Sequence, residues 1–150
     1  MNKMYNTPQE AEAAFYDAVE RGDLPVLSEV WSDNENIVCI HAGSQRIEGR
    51  SAVLDSFVDF IADNPCIEYS ITDTLQTGTD SLAIHLVREE IEIDGQVVSV
   101  MVATNIYHRE MDGWRMLLHH SSHEPDHRIA DFFEDFDDFE TEQESPPVLH

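Results

Sequence analysis

The second half of the chain constrains the fold most. Residues 67–77, 82–93, 96–109 and 114–123 are long segments rich in β-branched side chains, separated only by turn signals. Asp94-Gly95 is a two-residue hairpin signal, because both residue types accept the positive φ that such a turn requires. It sets Ile93 opposite Gln96, and a regular ladder then sets Ile84 opposite Asn105. A four-residue loop at 110–113 places Asn105 opposite Leu118 and Ala103 opposite His120. The last strand ends in a polar run, His119-His120-Ser121-Ser122-His123. An unpartnered buried polar atom costs roughly 1–3 kcal/mol, so these groups are expected to line a cavity where a ligand satisfies them.

The first half reads as helices and two short strands. Thr7 with Glu10 forms a capping box, and Pro8 falls where its missing N–H costs nothing. Ala11, Ala14, Phe15, Ala18 and Val19 then recur at helical spacing, until Gly22 ends the helix. Asp23 caps a shorter helix running to Trp31. Residues 36–41 are a buried strand emptying into the turn Ala42-Gly43-Ser44, and 45–48 a second short strand. A third helix spans 51–62, with Val53, Leu54, Phe57, Val58 and Ile61 inward, and Asn64-Pro65 stops it. From Glu124 the character changes. Ile129, Phe132, Phe133, Phe136 and Phe139 stand at amphipathic-helix spacing among acids, before a disordered end. The expected division is a domain over 1–125 and an acidic extension over 126–150. That extension either docks on its own domain or dimer mate, or folds on a partner.

Charge excludes several partners. The chain carries 31 acids against 8 Lys plus Arg, a net charge of −23. Ten acids and one Arg fall from Glu124 onward, which leaves −14 on the preceding body. Such a surface repels phosphate, so neither nucleic acid nor membrane is an expected partner. A high-salt habitat or selection for solubility would each account for it. No apolar run approaches the roughly 20 residues that span a bilayer, and the start lacks a signal-peptide core, so a cytoplasmic location is expected. Cys39 and Cys66 have no metal-site spacing and read as thiols buried as small hydrophobes.

The register above sorts the sheet into two faces. One carries Ile84, Leu86, Arg88, Met101, Ala103, Asn105, Tyr107, Trp114, Leu118, His120 and Ser122. The other carries His85, Val87, Ile91, Val98, Val100, Val102, Thr104, Leu117 and His119. Both are largely apolar, yet the helices cover only one. A homodimer packed through the outer sheet face is the economical solution.

Several local motifs carry a resemblance: Trp31, Cys39-Ile40-His41-Ala42-Gly43, residues 49–57 from Gly49-Arg50-Ser51, Ala103-Thr104-Asn105-Ile106-Tyr107, and the strand from Gly113-Trp114 to Ser121-Ser122. Over about residues 7–125 the chain resembles the SnoaL-like branch of the nuclear transport factor 2-like (ketosteroid isomerase-like) superfamily. That branch carries a His-Pro-Gly turn, a Thr-Asn pair and a terminal Trp…His-His-x-Ser strand; Ala42 replaces the usual Pro here. The resemblance implies an α+β fold of the nuclear transport factor 2-like (cystatin-like) cone type, with three N-terminal helices packed in a curved, mainly antiparallel sheet. It says little about activity, since the superfamily spans isomerases, cyclases, dehydratases and an association domain. The ketosteroid isomerase general base would fall at or beside Ile40 and its tyrosine near Phe15, one residue from Tyr16, so that chemistry by the familiar residues is disfavoured.

The residues left for a site are His120 as general base, Asn105 as donor to an oxyanion, and His41 at the turn to orient or bind. Tyr16, Trp31, Arg88, Trp114 and Ser122 are the candidate ligand contacts, Arg88 holding an acid. Adjacent His119 and His120 point to opposite faces and no acid completes a set with His41 and His123, so no metal site is expected, and no cofactor. Two functions remain open. One is a dimerising module that binds a small apolar or carbonyl-containing molecule in a pocket around Asn105 and His120. The other is a cofactor-free lyase, isomerase or cyclase using His120 and Asn105.

Overall fold

Residues 4–125 are described by a computed structural model, and the expected acidic extension lies outside them. Helix α1 (Pro8–Arg21) starts as anticipated: Thr7 Oγ1 accepts the Glu10 backbone N–H at 3.1 Å. The Glu10 carboxylate reaches back to the Asn6 N–H at 2.7 Å. Gly22 adopts φ +66°, and its N–H closes the helix onto the Ala18 and Val19 carbonyls. Helix α2 (Leu24–Val30) is capped by Asp23, whose side chain accepts from the Val26 N–H. Strands β1 (Val38–Ile40) and β2 (Ile47–Glu48) follow, then α3 (Arg50–Asp63). Arg50 anchors α3 to the end of α2, donating to the Ser28, Trp31 and Ser32 carbonyls at 2.6–3.0 Å. In α3, Val53 and Phe57 face inward as expected, but Val58 is 46% exposed and Phe60 takes its place against the core.

Strands β3 (Glu68–Gly78), β4 (Leu82–Ile93), β5 (Gln96–Glu110) and β6 (Gly113–His123) complete a six-stranded sheet of order β2-β1-β6-β5-β4-β3. All neighbours are antiparallel except β1 and β6, which run parallel. The core fills the space between the three helices and the inner face of this sheet, around Phe15, Leu27, Val30, Trp31, Phe57 and Tyr107.

The register departs from the expected one. Ile93 does pair with Gln96, but the ladder shifts at Ile91/Glu92, where Val98 is an extra residue in β5. His85, not Ile84, therefore lies opposite Asn105. Arg109 pairs with Trp114, but a second shift leaves Leu117 extra in β6, so Asn105 faces His119 and Thr104 faces His120. A bulge inserts one residue into a period of two and exchanges the faces beyond it. The inner face consequently carries His85, Val87, Glu89, Ile91, Ala103, Asn105, Tyr107, His119 and Ser121, all buried. Ile84, Leu86, Arg88, His120 and Ser122 face outward. Cys39 is buried as expected, whereas Cys66 is exposed at a positive φ of 63°.

Candidate functional site

The inner face holds a polar network at its centre. Glu12 of α1 is buried, and its Oε2 accepts from His85 Nδ1 (3.0 Å), Tyr107 OH (2.8 Å) and Asn105 Nδ2 (3.2 Å). Asn105 is fully buried; its Nδ2 also donates to Tyr16 OH at 2.9 Å. Tyr16 passes its own proton on, donating to Glu89 Oε2 at 2.5 Å, and Ser121 Oγ donates to Glu89 Oε1 at 3.1 Å. With both amide protons engaged, Asn105 Oδ1 accepts, so His119 Nδ1, 2.6 Å away, carries the hydrogen. The imidazole nitrogen left over, Nε2 of His119, is then a bare lone pair with no partner among the described residues.

That lone pair belongs to a residue lining a cavity of about 40 Å³, room for roughly three waters. Phe15, Phe57, Phe60 and Tyr69 form its aromatic wall, and His41, Glu89, His119 and Ser121 its polar groups. His41 stacks on Phe60 with ring centroids 5.2 Å apart. The Ser56 hydroxyl already donates to the Val53 carbonyl, so at 3.0 Å from it His41 Nε2 is the donor.

Burial dominates the electrostatics. It lowers the His119 pKa to about 3, with the neighbouring His41 and His120 adding to the effect, so the ring is neutral. His41 is lowered by burial as well. The Glu89 pKa is raised by burial, against the opposing pull of the Tyr16 and Ser121 hydrogen bonds. Tyr16 and Tyr107 are pushed well above the ordinary phenol value by burial, then by the adjacent carboxylates.

The expected site residues are thus divided. Asn105 and Tyr16 meet inside the cone, and His41 lines the cavity beside His119, which Asn105 holds. His120 is exposed on the outer face, so it and Asn105 do not share a hollow. Ser122 and Arg88 lie with His120 around an open outer groove of about 360 Å³, where Arg88 donates to Glu124 at 2.8 Å and Glu90 at 3.0 Å. Trp31 is core, 1% exposed, with its Nε1 unpartnered among the described residues. Trp114 packs at the start of β6, away from the cavity. Sequence reasoning passed over Glu12, Glu89, His119 and Ser121. The signal was present: Glu12 stands four residues before Tyr16 on the apolar side of α1, and Glu89 alternates with Val87 and Ile91. Among the described residues no group of three His, Cys, Asp or Glu converges as a metal site. No helix among them is long and apolar enough to cross a membrane.

The model of the SnoaL-like domain matches residues 9–126. The chain belongs to the SnoaL-like domain family. Among solved structures, a protein from Thiobacillus denitrificans named as a candidate calcium/calmodulin-dependent protein kinase type II association domain shares 31% identity at a TM-score of 0.79. The match covers 83% of this chain and 100% of that one. A candidate dehydratase of the nuclear transport factor 2-like family from Streptomyces avermitilis shares 33% identity at a TM-score of 0.71, covering 77% and 92%. A candidate ketosteroid isomerase from Parabacteroides distasonis has a TM-score of 0.64 at 15% identity, covering 79% and 89%, a likeness of fold alone. No curated protein matches. This SnoaL-like domain therefore has the cystatin-like α+β cone anticipated from its motifs.

Proposed function

We propose that this SnoaL-like domain is a cytoplasmic homodimer that binds a small organic molecule in the cone cavity, with Glu89, His119 and Ser121 at the polar end. The observation that carries the reading is the bare Nε2 of a histidine only 6% exposed that lines a cavity together with a buried carboxylate. The large majority of buried side-chain polar atoms in folded proteins have a partner. The ligand's apolar body is matched by Phe15, Phe57, Ile91 and Met101. The polar end offers acceptors, which favours a hydrogen-bond donor over the carbonyl compound suggested by the sequence. The test is a nuclear magnetic resonance screen of small organic fragments against the native protein and His119→Leu. Binders should shift the His41, His119 and Ser121 signals, and the variant should lose them. Fragments that move only outer-face signals would overturn the reading.

One observation favours a second reading, cofactor-free proton transfer. Glu89 is buried, raised in pKa and in a 2.5 Å contact with Tyr16. The Streptomyces avermitilis relative is named as a candidate dehydratase. In this reading Glu89, which lines the cavity, takes the role of base. Dehydration of small β-hydroxy ketones abolished in Glu89→Gln but kept in His120→Gln would support it; equal rates in both would refute it.

A further inference from the structure

Glu89 is 2% exposed, yet no Lys or Arg among the described residues pairs with it. Among the described residues its hydrogen bonds come from two neutral hydroxyls, and a second carboxylate, Glu12, lies in the same network. Buried charges are ordinarily paired, because the interior repays little of the lost hydration otherwise. The cavity beside Glu89 is lined by groups suited to a cation. His119 Nε2 is an open acceptor, Ser121 Oγ keeps a lone pair after donating, and Phe15, Phe57, Phe60 and Tyr69 wall the space. Aromatic rings attract an ammonium group, most strongly where both are desolvated. An alkylammonium has three N–H donors, which Glu89, His119 and Ser121 match in number. A volume of about 40 Å³ suits only a few heavy atoms, and the −23 charge raises the local cation concentration.

We propose that the cavity takes a small protonated primary amine, with the Glu89 carboxylate as its counter-ion and His119 Nε2 as a second acceptor. This rests on the reading of the cavity as a small-molecule site. It goes further by fixing the ligand's charge and donor chemistry.

The experiment is a titration of the full chain with methylammonium and ethylammonium chloride, followed by nuclear magnetic resonance in 150 mM NaCl, which screens exposed carboxylates beyond roughly 8 Å. Ethanol and acetone serve as neutral probes of similar size. The amines should shift His41, His119 and Ser121 signals saturably. They should bind at least tenfold more tightly than ethanol, and at least tenfold more weakly to Glu89→Gln. Glu68→Gln, which removes an exposed acid, should bind like the native protein. If Glu89→Gln fails to fold, Phe60→Leu tests the aromatic wall, with amine binding weakened and ethanol binding unchanged. Neutral probes entering the cavity as well as the amines do would overturn the inference and leave the small-molecule reading intact. A Glu89 carboxyl carbon shift showing the protonated form at pH 7.5 in the presence of amine would overturn it as well. No probe reaching the cavity signals would overturn both.

Discussion

His119 shows how far a single side chain's chemistry is set by its surroundings. Its Nδ1–H is held by Asn105, whose orientation is in turn fixed by the Glu12 carboxylate and the Tyr16 hydroxyl. Burial lowers its pKa to about 3, whereas in the unfolded chain it titrates near 6.5. Between these values the unfolded chain binds a proton that the folded one refuses, so stability falls as pH drops from 6.5 toward 3 and the loss ends below that. Glu89 has the opposite sign, since a raised carboxyl pKa favours the folded state as it protonates. A comparison that retains Glu89 isolates the histidine. Native protein should lose on the order of 4 kcal/mol relative to His119→Gln between pH 7 and pH 3.5 in denaturant titrations. Parallel pH profiles for the two proteins would contradict this assignment. None of it was legible from residue type, because His119 and His120 are chemically identical neighbours.

At the level of elements, helix boundaries and strand runs followed from local signals. Thr7, Pro8, Gly22 and Asp23 act within one turn of where they stand, and each does in the fold what its chemistry suggests. The bulges at Val98 and Leu117 gave no such sign, since each is an ordinary strand residue in an apolar run. Two one-residue shifts were enough to move His120 out and His119 in. The turn between β5 and β6 shows a constraint of another kind. Gly113 has φ +116°, and a Cβ there would lie 2.7 Å from the Tyr5 carbonyl oxygen and 2.9 Å from its nitrogen. The Trp114 N–H donates to that same carbonyl at 2.8 Å, tying the N-terminal segment to β6. Gly113→Ala should therefore destabilise by about 2–3 kcal/mol through strain and lost docking. Gly43→Ala, with φ +76° but open space around it, should cost only about 1 kcal/mol. Equal melting temperatures for the two variants would contradict the close approach.

On the scale of the whole molecule, the three helices among the described residues all lie on one side of the sheet, and among those residues the other side is uncovered. Leu75 (59% exposed), Leu86 (41%) and Val102 (36%) crowd the outer face around the 360 Å³ groove. Burying such a patch against a second copy relieves the exposure at about 25 cal/mol per Å² of apolar area. Leu86→Glu should shift the proposed dimer to monomer in sedimentation velocity, with the fold retained by circular dichroism. A native protein that sediments as a monomer would refute the dimer.

The amino-acid sequence alone determined the order of helices and strands, the hairpin at Asp94-Gly95 and the family likeness, because caps, turns and alternation act over a few residues. Which imidazole enters the cone, and which carboxylate it meets, was decided only by the tertiary structure. Facing in a sheet is the cumulative sum of every register step from the nearest turn, and where the two extra residues sit depends on packing against helices distant in the chain.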